Sequence, residues 1–149
     1  MNVRELMITN VITVDKNTTV QLAAGTMNKK RIGCVVTVDG EGVKGILTER
    51  DMLVRVLEAG RDPKTTKVSD VMTQSIIFGN PNMHLVEASR LMFQNGIKKL
   101  PILEDNRLVG LVTLTDIARA TSCDKKTIDL IDALSHMHKI SESQQEINV

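Results

Sequence analysis

The sequence predicts a mixed α/β fold, of the α+β kind, in which one small unit of sheet and packed helices occurs twice. Two observations predict it. A shift of 65 residues aligns residues 3–52 with residues 68–117 without a gap, and ten of the 50 pairs are identical. Within each copy, short apolar runs typical of strands alternate with stretches of helical periodicity. The chain is therefore one unit, duplicated.

The first copy is predicted to run strand, helix, strand, strand, helix. A short strand is expected at residues 11–14, and Thr18 or Thr19 is the expected cap of the helix after it. Apolar runs at 34–38 and 43–47 surround the turn sequence DGEG and predict a hairpin. The apolar face of the first helix is formed by Val20, Ala23, Ala24 and Met27.

The second copy repeats this order. Leu85, Ala88 and Met92 give its first helix an apolar face, and EDNR separates the two strands of its hairpin. The last helix of each copy is expected to begin near Thr48 or Thr113. The predicted organisation is repeat 1 at 1–58, a linker at 59–67, repeat 2 at 68–122, and a C-terminal helical segment with a polar tail at 123–149.

A copy of about 55 residues is short of the size at which one core is comfortably stable. We therefore expect the two copies to pack sheet to sheet as one module with pseudo-twofold symmetry. Clefts at such a repeat interface would come in pairs.

The composition argues against several classes of function. The 19 basic and 18 acidic side chains nearly cancel, so no strong field draws the chain to nucleic acid or to an anionic membrane. Two aromatic residues, Phe78 and Phe93, cannot make the stacking surface of a single-stranded nucleic-acid reader. No window of about 18 apolar residues and no secretory signal occur. A cytoplasmic protein without membrane contact is expected.

Metal binding and catalysis are not expected either. Cys34 and Cys123 fit no metal spacing and are expected to be reduced thiols. His136 and His138 are two residues apart, and residues at that spacing do not share a helix face. No nucleophile has a base nearby in the sequence, and no phosphate-binding glycine loop occurs. The chain is therefore not expected to be an enzyme.

One pattern recurs where each second strand passes into a helix. It consists of a glycine, apolar residues, a threonine, two further residues and an aspartate, within GILTERDM and GLVTLTDI. Together with the openings ELM and DVM and the strand KKLPIL, it resembles a pair of CBS domains, the repeats named after cystathionine β-synthase. The resemblance covers about residues 1–122. It implies clefts between the repeats that bind AMP, ADP, ATP or S-adenosylmethionine as regulatory ligands, with no obligatory cofactor.

The chemistry of the pattern agrees with that implication. A ribose offers two vicinal hydroxyls, and Asp116 or Asp51 could accept a hydrogen bond from each. The hydroxyls of Thr113 and Thr115 would lie at the first turn of a helix, where free backbone N–H groups favour a phosphate. The alternative is that these threonines are simple helix caps.

By resemblance, the adenine slot of the Asp116 cleft is lined by residues 7–12 with Ile32 and Gly33, and that of the Asp51 cleft by residues 72–77 with Ile97. The methionines among them are interpreted first as core residues, and Met7 has an additional claim through its place beside the predicted cleft. The candidate ligand-binding residues are Met7, Val11, Ile12, Ile32, Gly33, Thr48, Arg50, Asp51, Met72, Ile76, Ile77, Ile97, Lys98, Lys99, Leu111, Thr113, Thr115 and Asp116.

The two clefts are not expected to be equal. Lys98 and Lys99 accompany the second pattern, at positions where related modules often carry phosphate-binding residues, although a basic pair at a strand edge can also be solvated edge protection. The first copy has Gly33 and Cys34 there, and Arg50 in place of Thr115. Arg50 could bind a phosphate or occlude the pocket. We expect the Asp116 cleft to bind more strongly.

The sequence thus favours an adenosine-sensing module that regulates a separate, unidentified protein. The competing hypothesis is a structural module with empty clefts that works through dimerisation, and nucleic-acid binding is a weaker third. A homodimer is expected because the helix ERDMLVRVLEAG is apolar over more than one stripe. Its expected interface residues are Met52, Leu53, Val54, Val56 and Leu57, with Ile117 and Ala120, and possible extension through 127–137.

Overall fold

A computed structural model gives the fold and describes residues 1–121. In chain order the elements are α1 (Val3–Leu6), β1 (Thr13–Asp15), α2 (Val20–Lys30), β2 (Cys34–Asp39), β3 (Gly42–Thr48), α3 (Glu49–Met52), a π-helical segment (Leu53–Glu58), α4 (Val68–Val71), α5 (Leu85–Gln94), β4 (Lys99–Glu104), β5 (Arg107–Thr113) and α6 (Leu114–Ala120). The predictions made for 123–149, including Cys123, His136 and His138, lie outside the described residues.

The described residues divide into two compact units that exchange short segments between the repeats. The first unit comprises residues 10–76 and 105–108. The second comprises residues 1–9 and 77–104 and the described residues from 109 onward. Neither unit is therefore one uninterrupted sequence repeat.

The first unit has the strands and hairpin that the sequence predicts. β1 pairs parallel with β2, and β2 pairs antiparallel with β3. Thr19 caps α2, because its hydroxyl accepts the Leu22 N–H at 3.4 Å. The buried core consists of Val20, Ala23, Met27, Val35, Leu47, Val56, Val68, Val71 and Met72. Its last three members come from the beginning of the second repeat, so α4 and the residue after it complete the first unit.

The second repeat has the same helix and hairpin with a smaller sheet of two strands, β4 and β5, and the tip of this hairpin, residues 105–108, is grouped with the first unit. Asp105 and Asn106 at the hairpin turn have φ values of 50° and 60°, as a type I′ turn requires. The strand predicted at the start of this copy is reduced to one parallel bridge between Gly79 and Ile102. Glycine is a weak strand residue and Pro81, two residues later, has no N–H to donate, so the strand does not extend.

Residues 1–9 complete the second unit as α4 completes the first. The Val3 side chain is fully buried, and its N–H donates to the Met83 carbonyl at 2.9 Å. Arg4 forms an ion pair with Glu104. The buried core consists of Val3, Leu85, Ala88, Met92, Leu100, Ile102, Val112, Leu114 and Ile117. The openings ELM and DVM are thus short helices that pack into a core, a role that the sequence analysis did not predict.

The second helix of the first copy differs from its prediction. After the four residues of α3 the backbone widens into the π-helical segment. Val56 of this segment is buried in the core of the first unit, whereas Leu53 and Leu57 are 55% and 74% exposed. Ile117 is buried in the core of the second unit. Val56 and Ile117 are therefore not available for the interface in which they were expected.

No helix within residues 1–121 combines the length and the apolar character needed to cross a membrane.

Candidate functional site

Each glycine, threonine and aspartate pattern folds into the same capped helix start. The Thr113 hydroxyl accepts the Asp116 N–H at 3.1 Å, and the Thr113 N–H donates to Asp116 Oδ2 at 3.1 Å. Thr48 and Asp51 make the equivalent pair at 3.2 and 3.0 Å. These are reciprocal capping boxes, and the helices begin near Thr48 and Thr113 as expected. The alternative that Thr113 is a helix cap is confirmed, whereas Thr115 lies within α6 and is not a cap. They hold each carboxylate in one orientation.

The glycine of the second pattern, Gly110, leaves space for the side chain of Met7. A Cβ on Gly110 would lie 2.5 Å from the Met7 Sδ, so a side chain there would collide with the thioether. The next residue, Leu111, exchanges two backbone hydrogen bonds with Ile8, both of 2.9 Å. The pattern therefore holds Met7 and Ile8 beside the strand that leads to Asp116.

The first pattern repeats this packing with the other opening. A Cβ on Gly45 would lie 2.5 Å from the Met72 Sδ. Ile46 and Thr73 exchange backbone hydrogen bonds of 3.0 and 2.9 Å. Thr73 thus occupies the place in the first unit that Ile8 occupies in the second.

The two carboxylates differ in their further partners. Asp51 is buried, and the Thr73 hydroxyl donates to it, 3.1 Å from Oδ1 and 3.3 Å from Oδ2. Asp116 is half-buried, and its Oδ2 also accepts the Thr113 hydroxyl at 2.6 Å. Within residues 1–121, no hydrogen bond reaches the Asp116 Oδ1. Asp116 therefore has an acceptor atom to offer, and Asp51 is already engaged at both oxygens.

The backbone N–H groups at these helix starts are less available than the sequence suggested. The Leu114 N–H donates to the Lys98 carbonyl at 2.9 Å, and the Asp116 N–H is taken by Thr113. The Glu49 N–H donates to the Gly33 carbonyl at 3.2 Å in the same way. The prediction of free N–H groups at this position is therefore wrong for Leu114 and Asp116.

The residues predicted to bind a phosphate lie near the helices that follow the two patterns. The bond from Leu114 places the Lys98 backbone beside the first turn of α6, and Lys99 begins β4. Both lysine residues and Thr115 are half-buried. Arg50 is exposed on α3.

The remaining predicted lining residues are divided between the two units. Ile77 and Ile97 pack against the core of the second unit, which holds Asp116. Ile12 and Ile32 pack against the core of the first unit, which holds Asp51, and Val11, Gly33 and Ile76 belong to the same unit. The two predicted adenine slots draw residues from both units, and they stay predictions.

A groove of about 360 Å³ lies within the first unit, between the end of α2 and the beginning of α3. Thr48 and Asp51 do not line it, so it is separate from the predicted ribose site. Its walls are formed by Ala24, Met27, Asn28, Arg31, Ile32, Gly33, Glu49 and Met52.

Sequence reasoning missed the role of one residue beside Asp51 and the presence of another. Thr73 falls within the predicted slot at 72–77, but its bond to Asp51 was not predicted, although the alignment of the copies sets its hydroxyl against an apolar residue, Ile8. Arg55 donates from Nη1 to the carbonyls of Val71 and Met72, at 3.1 and 2.9 Å. It holds the end of α4, and no local pattern indicates such a contact.

Metal ligands do not cluster in the part of the chain that the structure describes, where no group of three His, Cys, Asp or Glu residues could hold an ion. The buried Cys34 is not in a disulfide.

Comparison with known proteins identifies the family. The CBS domain matches residues 3–58 and 68–122. The CBS domain-containing protein YhcV of Bacillus subtilis is 39% identical over 137 residues, covering 92% of this chain and 97% of its own. A conserved CBS domain protein of unknown function from Thermoplasma acidophilum has a similar structure, with a TM-score of 0.80, 29% identity, and coverage of 92% of this chain and 76% of its own.

A third similar structure is Hypoxic Response Protein I with two coordinated zinc ions, with a TM-score of 0.72 and 31% identity over 80% of this chain and 98% of that one. A protein of the same name from Mycobacterium tuberculosis is 32% identical to this chain over 117 residues, or 78% of this chain and 82% of its own. The chain therefore belongs to the CBS domain family, with two tandem repeats.

Proposed function

We propose that this chain is a regulatory module that binds an adenosine-containing ligand at Asp116 and passes its bound state to a separate protein. The candidate ligands are AMP, ADP, ATP and S-adenosylmethionine. The observation that carries the proposal is the Asp116 carboxylate, which the capping box with Thr113 orients while its Oδ1 has no partner within residues 1–121. CBS domain pairs are generally regulatory modules that often bind adenosine ligands, and this membership supports the proposal.

The ribose is the part of the ligand that this carboxylate would recognise. Two vicinal hydroxyls can both donate to an ionised carboxylate, and such charge-assisted bonds are stronger than neutral ones. Thr115, on the first turn of the same helix, and Lys98, whose backbone contacts that turn, are the proposed partners of a phosphate. Lys99 is a third proposed phosphate partner.

The proposed role is binding rather than catalysis. The partner would receive the signal through a change in this module, as no second activity is proposed for the chain. The proposed location is the cytoplasm, where a reduced thiol such as Cys34 is stable.

A second candidate function is supported by a different observation. Leu53 and Leu57 expose 55% and 74% of their surface on the π-helical segment, and Val54 beside them is 37% exposed. Adjacent exposed apolar side chains of this size are typical of a contact surface. A dimerisation module with empty clefts would account for them without any nucleotide.

Calorimetry with AMP, ATP and S-adenosylmethionine separates these two functions. The sharpest control is 2′-deoxy AMP, which lacks one of the two hydroxyls that Asp116 is proposed to bind. We expect AMP to bind at least tenfold more tightly than its deoxy form, since one hydrogen bond to a charged acceptor is lost. Absence of binding for all three adenosine compounds would favour the dimerisation module.

The absence of Trp and Tyr gives a simple second test. The purified protein itself should scarcely absorb near 280 nm, so a purine-like ultraviolet band would reveal a carried ligand or contaminating nucleic acid. Nuclease treatment followed by desalting removes nucleic acid, and a band that survives it is expected if an adenosine ligand is retained.

A further inference from the structure

The Thr73 hydroxyl donates to the Asp51 carboxylate oxygens that a ribose hydroxyl would also need. Its oxygen lies 3.1 Å from Oδ1 and 3.3 Å from Oδ2, so the hydroxyl sits in the fork between the two carboxylate oxygens. The same carboxylate is 7% exposed and has its Oδ2 bound to the Thr48 N–H at 3.0 Å. A diol that approaches Asp51 therefore competes with Thr73 for the carboxylate.

Four hydrogen bonds hold the backbone at and just before Thr73. Its N–H and carbonyl pair with Ile46 at 2.9 and 3.0 Å, so the residue is fixed to the strand that leads to Thr48. The Arg55 guanidinium bonds the carbonyls of the two preceding residues, at 3.1 and 2.9 Å. The hydroxyl is thus presented to Asp51 by an anchored backbone.

The second unit has the same backbone without the hydroxyl. Ile8 pairs with Leu111 as Thr73 pairs with Ile46, but its side chain cannot donate a hydrogen bond. The residue in the place of Arg55 is Ala120, 65 positions later. The carboxylate of Asp116 therefore keeps an oxygen that no residue within 1–121 bonds.

We propose that Thr73 is an intramolecular lock that occupies Asp51 in place of a ribose and makes the first site the weaker of the two. This inference rests on the proposed function, since it assigns the difference in nucleotide affinity between the two sites to one hydroxyl. Thr73 acts through Asp51 and is a positioning residue. Its removal should increase binding at the first site, which is the opposite of what loss of a ligand contact would do.

The test measures AMP binding by calorimetry in the Asp116→Ala background, where the Asp51 site alone is read. Adding Thr73→Val keeps the shape of the side chain and removes the donor, and it should raise the affinity of the remaining site about tenfold or more. Adding Thr73→Ser instead restores the hydroxyl and should return the low affinity. The reciprocal variant Ile8→Thr, in the Asp51→Ala background, should lower the affinity of the Asp116 site.

The outcomes distinguish this inference from the proposed function. If the unaltered protein binds AMP while Thr73→Val leaves the first site unchanged or weakens it, the lock is wrong and the proposed function stands. If neither the unaltered protein nor any variant binds a nucleotide, the proposed function fails and the lock has no ligand to oppose. Circular dichroism of each variant checks that a change in affinity does not come from unfolding.

Discussion

Gly45 and Met72 are in such close contact that a Cβ on the glycine would lie 2.5 Å from the methionine Sδ, and 2.8 Å from the Thr73 carbonyl oxygen. Gly110 has a comparable relation to Met7, but there the three nearest atoms all belong to the methionine side chain. A flexible thioether can move, whereas a carbonyl in a paired backbone cannot. The two glycines therefore should not tolerate a methyl group equally.

We expect Gly45→Ala to lower the free energy of unfolding by about 1–3 kcal/mol, the usual cost of overpacking, and Gly110→Ala to lower it less. The control is Gly25→Ala, since Gly25 lies within α2 and nothing lies within 4 Å of its Cβ position. That change should stabilise the protein by about 0.5–1 kcal/mol. Urea unfolding of the three variants measures these differences. A larger effect at Gly110 than at Gly45 would contradict the packing argument.

Asp116→Ala should weaken nucleotide binding at least tenfold and more than Asp51→Ala does, because the Asp51 carboxylate is already engaged by Thr73. The order should be reversed for stability, with Asp51→Ala more destabilising than Asp116→Ala. Each variant removes the carboxylate of a capping box and the acceptor of one hydroxyl, that of Thr113 at Asp116 and that of Thr73 at Asp51. Asp51 is the buried carboxylate, so the donors left unpaired there are less able to bind water instead and cost more. Calorimetry and thermal unfolding check the two orders, and both folds should persist at 25 °C. Equal binding losses would refute the difference between the sites.

Leu53→Asp combined with Leu57→Asp should yield a monomer if the exposed apolar surface of the π-helical segment holds two chains together. Burying two carboxylates against each other across a twofold contact is unfavourable. Light scattering should give twice the chain mass for the unaltered protein. Thr65→Asp, at an exposed linker position, adds a negative charge outside the proposed interface and should leave the dimer intact. An unaltered protein that is monomeric at tens of micromolar would rule out this interface.

The Asp39 carboxyl in the hairpin of β2 and β3 should make the stability of the protein depend on pH. The Glu41 N–H, bonded to Asp39 at 2.8 Å, holds the pKa of that carboxyl below its ordinary value of 3.8, with further help from Lys16 and Lys44 and partial opposition from burial. The pKa is lowered in the folded state. The stabilisation is therefore present above the unfolded-state pKa and is lost as the pH falls through the folded one.

Asp39→Asn should accordingly lower the melting temperature at pH 7, where the carboxylate is charged. The difference from the unaltered protein should shrink as the pH falls through the folded-state pKa of Asp39, because both proteins are then neutral at this position. Thermal unfolding across this range makes the measurement. A difference of the same size at both ends would show that the charge of Asp39 is not responsible.

The parts of the fold that the sequence predicts are those that local patterns determine. Thr19 begins a helix and DGEG turns a hairpin because neighbouring residues suffice for either structure. The exchange of segments was not predictable in this way. Val3 and Val68 are aligned residues, and nothing in the sequence around them indicates which core each one enters. The strand expected near Gly79 is reduced to a single bridge. The alignment of the copies predicted a strand there without taking account of the glycine, which is unfavourable in strands.

The candidate site likewise has some features that local sequence patterns determine and others that depend on tertiary contacts. The helix starts near Thr48 and Thr113 were predicted from the sequence, and the capping boxes found there join residues only three positions apart. The bond between Thr73 and Asp51 joins residues 22 positions apart and depends on the pairing of two backbone segments. Only the three-dimensional structure brings that hydroxyl to the carboxylate.

The burial of Val3 in the second core has a consequence for the order in which the chain can fold during its synthesis. A chain emerges from the ribosome with its N-terminus first, and its earliest domain generally folds first. Here residues 1–9 emerge before residues 10–76, but Val3 and Ile8 can reach their partners Met83 and Leu111 only after about 80 and 100 further residues have been made. The unit around residues 10–76 can assemble its core sooner. Residues 1–9 are therefore synthesised before the first unit but reach their folded positions after it.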